Sequence, residues 1–155
     1  MSPLFGSKRH EEAGQPDQLP LVSDLGPQIE AESDRLEGLP LSDLSGEILR
    51  TAFTPQHEPD RGMLAVAEIV DAFLPPHGDW TGPIYKAPAP PEGLLRLRDV
   101  VREGLQVLEH AGLVMVKGYI IQGDLFQYGY VTTRRGRAAL TDGSLERILS
   151  AAAPV

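Results

Sequence analysis

Apolar residues recur at steps of three and four over residues 94–111, the spacing that places them on one face of a helix. They are Leu94, Leu97, Val101, Leu105, Leu108 and Ala111. Gly112 follows where a left-handed cap ends many helices, and Leu113 can supply the apolar contact that accompanies such caps. Gly104, inside this stretch, costs about 1 kcal/mol relative to alanine, so either a neighbour packs closely against it or the helix is locally weak. The pattern predicts a long helix with a buried leucine face.

After this helix the pattern changes to that of two β-strands. Residues 114–116, 119–121 and 126–133 are rich in strand-forming residues, and Gly123-Asp124 suits a two-residue hairpin turn. With that turn, the predicted cross-strand pairs are Tyr119 with Tyr128, Lys117 with Tyr130, Ile121 with Phe126, and Gly118 with Gly129. The facing glycines indicate a bend or a close approach of another backbone. The prediction is a hairpin with one aromatic side, which cross-strand aromatic pairs favour by about 0.2–1 kcal/mol each.

Two more amphipathic helices are predicted upstream. The first starts at a capping Ser42 or Asp43 and runs to Phe53, and the second covers residues 63–74 and ends at two prolines. Residues 76–91 then form an inserted loop, far longer than the turn of a helix-turn-helix, and such loops are uncommon unless functional or disordered. It contains the single tryptophan, Trp80, which either packs the loop onto the domain or anchors a partner.

The N-terminal residues 1–39 are rich in Pro, Gly, Asp and Glu, so a disordered acidic arm is predicted there, with a brief helix over residues 29–36. Two similar runs, LPLVSDL from residue 19 and LPLSDL from residue 39, are either helix starts with Ser or Asp caps or short motifs that dock on a partner or back onto the domain. The folded domain is predicted to span residues 40–153, ending in a short helix near residues 145–149.

Two runs in the C-terminal half resemble a known family. VVREGLQVLEHAGLV, residues 100–114, resembles the recognition helix and first wing strand of winged helix-turn-helix transcription regulators. YVTTRRGRAAL, residues 130–140, resembles the closing wing strand and following helix, where many bacterial members carry Tyr-x-Leu-Thr-x-x-Gly-Arg-x-x-Leu. The matching residues are Tyr130, Thr133, Gly136, Arg137 and Leu140, and Thr132 stands where the family usually has Leu. The resemblance, closest over residues 94–140, implies a mainly helical α+β winged-helix fold with a two-stranded wing, and regulation of transcription by DNA binding.

The charge is unevenly distributed along the chain. The net charge is -8; residues 1–92 carry 6 basic and 16 acidic side chains, a balance of -10, and residues 93–155 carry 8 basic and 6 acidic, a balance of +2. Nucleic-acid binders usually present a basic face that displaces counterions from phosphates. Only the C-terminal part could present such a face.

Two groups of residues are candidates for contact with double-stranded DNA. Arg98, Arg102 and Gln106 lie at four-residue steps, and Arg and Gln side chains can read base edges. Their alternative is a solvated helix face, because acidic residues in the same segment balance the arginines and Asp99 can pair with Arg102. The second group could hold phosphates or only improve solubility, and it consists of Lys117, Arg134, Arg135 and Arg137.

The aromatic residues Trp80, Tyr119, Tyr128 and Tyr130 are candidates for a protein interface. The hairpin rings Tyr119, Phe126, Tyr128 and Tyr130 could also form a stacking platform for single-stranded nucleic acid; otherwise they cover the core or pair with a second subunit in a homodimer. No catalytic motif or phosphate-binding loop is found, the four histidines could bind metal only by meeting in space, and cysteine is absent, so no enzyme, cofactor or metal is expected. No apolar run is long enough for a membrane span, and the expectation is a soluble, cytoplasmic protein.

Two functional hypotheses follow. The first is a small DNA-binding transcriptional regulator. The second is a winged-helix module for protein–protein interaction or dimerisation that does not bind DNA.

Overall fold

The computed structural model describes residues 19–54, 62–78, 92–121, 123 and 125–152, with the backbone alone for strand residues 119–121 and 125–127. These residues form an α+β fold that is mainly helical, as predicted. A 3-10 turn at Val22–Leu25 precedes the helices α1 (Gly26–Glu37), α2 (Leu41–Ala52), α3 (Val66–Asp71), α4 (Glu92–His110), α5 (Arg134–Asp142) and α6 (Leu145–Ala152), and the strands are β1 (Val114–Ile121) and β2 (Leu125–Thr132).

Helix α4 is the centre of the fold, because α1, α2, α3, α6 and β1 all pack against it. The predicted helix and its buried face are confirmed: Leu97, Leu105 and Leu108 have no exposed surface. The predicted cap is also confirmed. Gly112 has a φ of 70°, and the N–H of Leu113 donates to the carbonyl of Leu108 at 2.9 Å, which satisfies a carbonyl that the helix end leaves open.

Gly104 is the point where α2 comes closest to α4. A Cβ at this position would lie 2.4 Å from Cδ1 of Ile48 and 3.2 Å from Cγ of Leu44. Of the two explanations for a glycine inside this helix, close packing by a neighbour is therefore the correct one.

The predicted disorder of residues 1–39 is wrong for residues 19–39, which form the 3-10 turn and α1, extending the short helix expected there. Ile29 and Leu36 are completely buried, and the hydroxyl of Ser33 donates to the carbonyls of Ile29, at 2.8 Å, and Gly93, at 3.3 Å. The polar composition of this segment hides a short apolar stripe at helical spacing, and the flank of α4 supplies the surface that buries it. The domain therefore begins before residue 40, and residues 1–18 lie outside the described residues.

Two predicted helix starts need correction. Helix α2 begins at Leu41 after Pro40, without a side-chain cap, so neither Ser42 nor Asp43 is the cap. The helix predicted over residues 63–74 is much shorter, because Leu64 instead forms an antiparallel bridge with Tyr130, with N–H to carbonyl distances of 2.9 and 2.8 Å. An extended residue with these long-range bonds cannot be part of a helix, and turns follow α3 from Ala72.

The predicted hairpin is confirmed, but its register is wrong by one residue. Tyr119 lies opposite Gln127, Gly118 opposite Tyr128, and Val116 opposite Tyr130. Three residues, not two, therefore separate the paired ends of the strands, and Gly123 among them has a φ of 77°. Since alternate residues face opposite sides of a strand, this shift changes which side chains share a face.

Candidate nucleic-acid interface

Thr133 fixes α5 against the C-terminal end of α4. Its Oγ1 accepts from the N–H of Gly136 at 3.0 Å, which caps α5, and donates to the carbonyl of Gly112 at 2.6 Å. A Cβ on Gly136 would lie 2.1 Å from the carbonyl oxygen of Leu113. Three residues of the quoted motif thus have physical roles: Thr133 as the cap, Gly136 as the site of closest approach, and Arg137, whose Nη1 donates to the carbonyl of Thr132 at 2.8 Å.

Three basic side chains lie at the start of α5, next to the end of the hairpin, and a fourth, Lys117, lies three residues along β1. Lys117, Arg134, Arg135 and Arg137 are exposed, and residues 113–140 contain these four basic side chains and one acidic residue, Asp124. None of the four forms an ion pair with a residue that the structure describes. We call these four residues the basic cluster.

Of the other arginines in the described chain, Arg98 and Arg147 form no ion pair with a described residue, and the rest are paired with carboxylates. Arg35 bridges Glu32 and Glu47, each at 2.5 Å, and hydrogen bonds to these two residues raise the pKa of Arg35 above its ordinary value. Further pairs join Arg50 to Glu146, Arg96 to Asp34 and Glu37, and Arg102 to Asp99. The pairs of Arg35 and Arg96 connect α1 to α2 and to α4, and they involve four of the 16 acidic side chains of residues 1–92.

The three candidate residues on α4 differ from one another. Arg102 is exposed and pairs with Asp99 at 2.9 Å, as predicted for residues three apart on a helix. Gln106 is exposed, whereas Arg98 is half-buried, and its buried Nε lacks a hydrogen-bond partner. The exposed face of α4 also carries Glu103 and Glu109. Of the arginines on α4, Arg98 alone forms no ion pair with a residue that the structure describes.

The residues of the first predicted group lie at different distances from the end of α4, because Gln106 precedes Gly112 by only six residues and Arg98 by more. Arg98 precedes Gly112 by fourteen residues, which corresponds to roughly 20 Å along a helix axis, and the arginines of the basic cluster lie beyond Gly112. Lys117 lies on β1, three residues after Val114, where the pairing with β2 begins. Contacts by Arg98 and by the basic cluster would have to come from an extended ligand.

Of the predicted interface aromatics, Tyr128 and Tyr130 lie two residues apart on β2 and share a face of the hairpin, but they differ in exposure. The side chain of Tyr128 is 64% exposed, whereas Tyr130 is half-buried at the bridge to Leu64, and burial raises its pKa, with a smaller contribution from the Glu109 carboxylate that Arg102 opposes. Trp80 and the side chain of Tyr119 lie outside the described residues. Leu64 and the side chain of Met63 cover Gly129, where a Cβ would lie 2.8 Å from Cε of Met63, in agreement with the close approach predicted there.

Sequence analysis missed two exposed apolar side chains near the hairpin base, Met115 and Val116, which are 51% and 42% exposed. Their β-branched and aromatic neighbours indicated a strand but not which face would be covered. Val116 shares a face with Tyr128, because the cross-strand partner of Tyr128 is Gly118, two residues away.

The described residues give little sign of a metal site or of a membrane-spanning helix. Nε2 of His77 lies 3.1 Å from Oδ1 of Asp71, His10 and His57 lie outside the description, and no group of three potential metal ligands is found within it. No described helix has both the length and the apolar character needed to cross a bilayer.

No protein-family model, curated protein or solved structure matches this chain.

Proposed function

We propose that this chain is a winged-helix domain that binds duplex DNA, with the basic cluster on the phosphates and α4 beside the bases. The order of elements supports the fold assignment: a helix, a short extended segment at Leu64, a second helix, a long helix and a hairpin. The proposal adds a transcriptional role because that is the usual work of the family that residues 94–140 resemble.

The observation that carries the proposal is the distribution of ion pairs. An arginine already paired with a carboxylate gains little from a phosphate, since the carboxylate must first be displaced. The basic cluster has no such competitor among the described residues, so each phosphate contact releases counterions at no cost in broken ion pairs. The duplex would thus meet a positive local surface on a protein whose net charge is -8.

On α4, the proposal assigns the main contact to Arg98. Its guanidinium forms no ion pair with a described residue, so a ligand would not have to displace a carboxylate from it. Its Nε is buried, so the contact is assigned to the exposed part of this half-buried side chain. Arg102 would have to break its ion pair with Asp99 before it could contact a base. Gln106 lies between Glu103 and Glu109 along α4. Base recognition by α4 is therefore expected to be modest, and most of the affinity would come from phosphate contacts.

The test compares two double variants with the same net charge. Arg134→Ala with Arg135→Ala and Arg35→Ala with Arg50→Ala both change the net charge from -8 to -10, but the second pair removes arginines that carboxylates already hold. Fluorescence anisotropy with a short mixed-sequence duplex at low salt should show about 10- to 100-fold weaker binding for the first variant. The control variant should bind nearly as the parent chain does.

Equal losses in the two variants would mean that net charge alone governs the interaction, and the assignment of phosphate contacts would be wrong. Undetectable binding of the parent chain at low salt would contradict the proposal as a whole.

The exposed apolar residues of the hairpin favour a second candidate, a contact between two copies of this chain. Val116 and Tyr128, which share one face of the hairpin, are 42% and 64% exposed, and aromatic side chains are enriched at protein interfaces. If they pair two subunits, the mass measured by light scattering should rise with concentration, and Tyr128→Ser together with Val116→Ser should return the chain to a monomer. A parent chain that stays monomeric at high concentration would rule this contact out.

A further inference from the structure

A cavity of about 500 Å³ lies beside the C-terminal half of α4. Its lining residues are Leu41, Glu103, Gln106, Val107, His110 and Ala152, which brings together α4, the start of α2 and the end of α6. A second open space of about 580 Å³ is lined by Gln106, Glu109 and His110, so the two share Gln106 and His110. The size is in the range of small-molecule sites.

The cavity has an apolar side and a polar side. Val107 is 7% exposed and, with the half-buried Leu41 and Ala152, supplies apolar surface. Glu103, Gln106 and His110 supply the polar groups on successive turns of α4. These three side chains form no hydrogen bond or ion pair with any residue in the described ranges, so their polar atoms are available to a ligand.

The described lining of the cavity is negatively charged. Glu103 contributes a carboxylate, Glu109 lines the adjoining space, and none of the described residues that line either space is Lys or Arg. His110 is the last residue of α4, seven residues or roughly 10 Å beyond Glu103, so the attraction of a helix end for cations does not reach a charge paired with Glu103. An anionic ligand would be repelled by Glu103, whereas a cation would pair with it.

We propose that this cavity binds a small organic cation, an ammonium group carried on a compact apolar body. The ammonium group pairs with Glu103, and the apolar body covers Val107, Leu41 and Ala152. Gln106 and His110 offer further hydrogen-bonding groups at the rim. Apolar contact and one charge-assisted hydrogen bond together select an amine over a neutral or acidic analogue of the same shape.

The experiment is a titration of the isotope-labelled full chain, followed by its backbone amide spectrum, with three probes of one shape. The probes are phenethylammonium, phenethyl alcohol and phenylpropionate, which carry a positive, a neutral and a negative head group. The amine should give saturable shifts at Glu103, Gln106, Val107 and His110. The alcohol should bind about tenfold more weakly, and the carboxylate should give no saturable shift.

The variant Glu103→Gln should reduce the affinity for the amine about tenfold, while Glu92→Gln, an exposed position on α4 away from the cavity, should leave it unchanged. Both changes keep the size of the side chain, and the amide spectrum of each variant reports whether it is folded. Equal binding of the amine and the alcohol, equal affinity in Glu103→Gln, or shifts confined to other residues would overturn the proposal.

A regulatory consequence rests on the proposed function. Gln106 lines the cavity and is also one of the residues assigned to the bases, so the amine should weaken duplex binding by the parent chain but not by Glu103→Gln. If the amide shifts appear and duplex affinity is unchanged, the site stands and its regulatory role falls. If no duplex binds at all, the proposed function fails, and the amide titration alone decides the cavity.

Discussion

Replacing Gly136 with alanine is expected to lower the free energy of unfolding by about 3 kcal/mol, because one added methyl group would overlap a backbone atom. The new Cβ would lie 2.1 Å from the carbonyl oxygen of Leu113 and 2.8 Å from Cγ2 of Thr132. The Leu113 carbonyl cannot easily move, since it accepts from the N–H of Thr133 at 3.0 Å. Urea denaturation followed by circular dichroism measures the loss.

Gly38 provides the matched control. It ends α1 with a φ of -74°, and a Cβ there would lie 3.4 Å from the carbonyl oxygen of Asp34, an ordinary contact. Gly38→Ala should therefore change the free energy of unfolding by no more than about 0.5 kcal/mol or stabilise the chain slightly. If Gly136→Ala were as stable as this control, the packing described between α5 and the end of α4 would be incorrect.

The second large effect is expected for Gly104→Ala, which should lower the free energy of unfolding although this type of change in a helix usually raises it. Alanine inside a helix normally stabilises by about 1 kcal/mol relative to glycine. Here the added Cβ would lie 2.4 Å from Cδ1 of Ile48, which is completely buried and has little room to turn. The expected outcome is a net loss of about 2 kcal/mol in the free energy of unfolding.

A double-mutant cycle isolates that contact. Ile48→Val removes the clashing Cδ1 and should cost about 0.5–1.5 kcal/mol alone. In the Gly104→Ala background the same change should raise stability, giving a favourable coupling of at least about 1 kcal/mol. Additive losses in the double variant would show that Cδ1 of Ile48 does not clash with the Cβ added at position 104.

Sequence patterns were sufficient where the controlling interactions are local. The leucine stripe of α4, the Gly112 cap and the Asp99–Arg102 pair all depend on residues within a few positions of one another, and the structure agrees with them. Gly123 indicated a hairpin turn correctly, but a glycine with positive φ suits both two- and three-residue loops. The register was therefore underdetermined, and the choice made was wrong by one residue.

Long-range interactions account for the other differences. The two hydrogen bonds between Leu64 and Tyr130 take residues 63–65 out of a predicted helix, and α4 covers the short apolar stripe of α1. The contact of Arg96 with Asp34 likewise joins residues far apart in the chain. Such pairs determine which arginines are neutralised and hence which could contact a phosphate. A count of charges along the sequence does not reveal them.

The salt dependence of duplex binding by the parent chain tests the central claim most directly. If the four side chains of the basic cluster each neutralise one phosphate, log Kd should rise linearly with log salt concentration with a slope of roughly 3 to 4. The Arg134→Ala, Arg135→Ala double variant should reduce that slope by about 2. A slope near zero, or a slope that this variant leaves unchanged, would contradict the account.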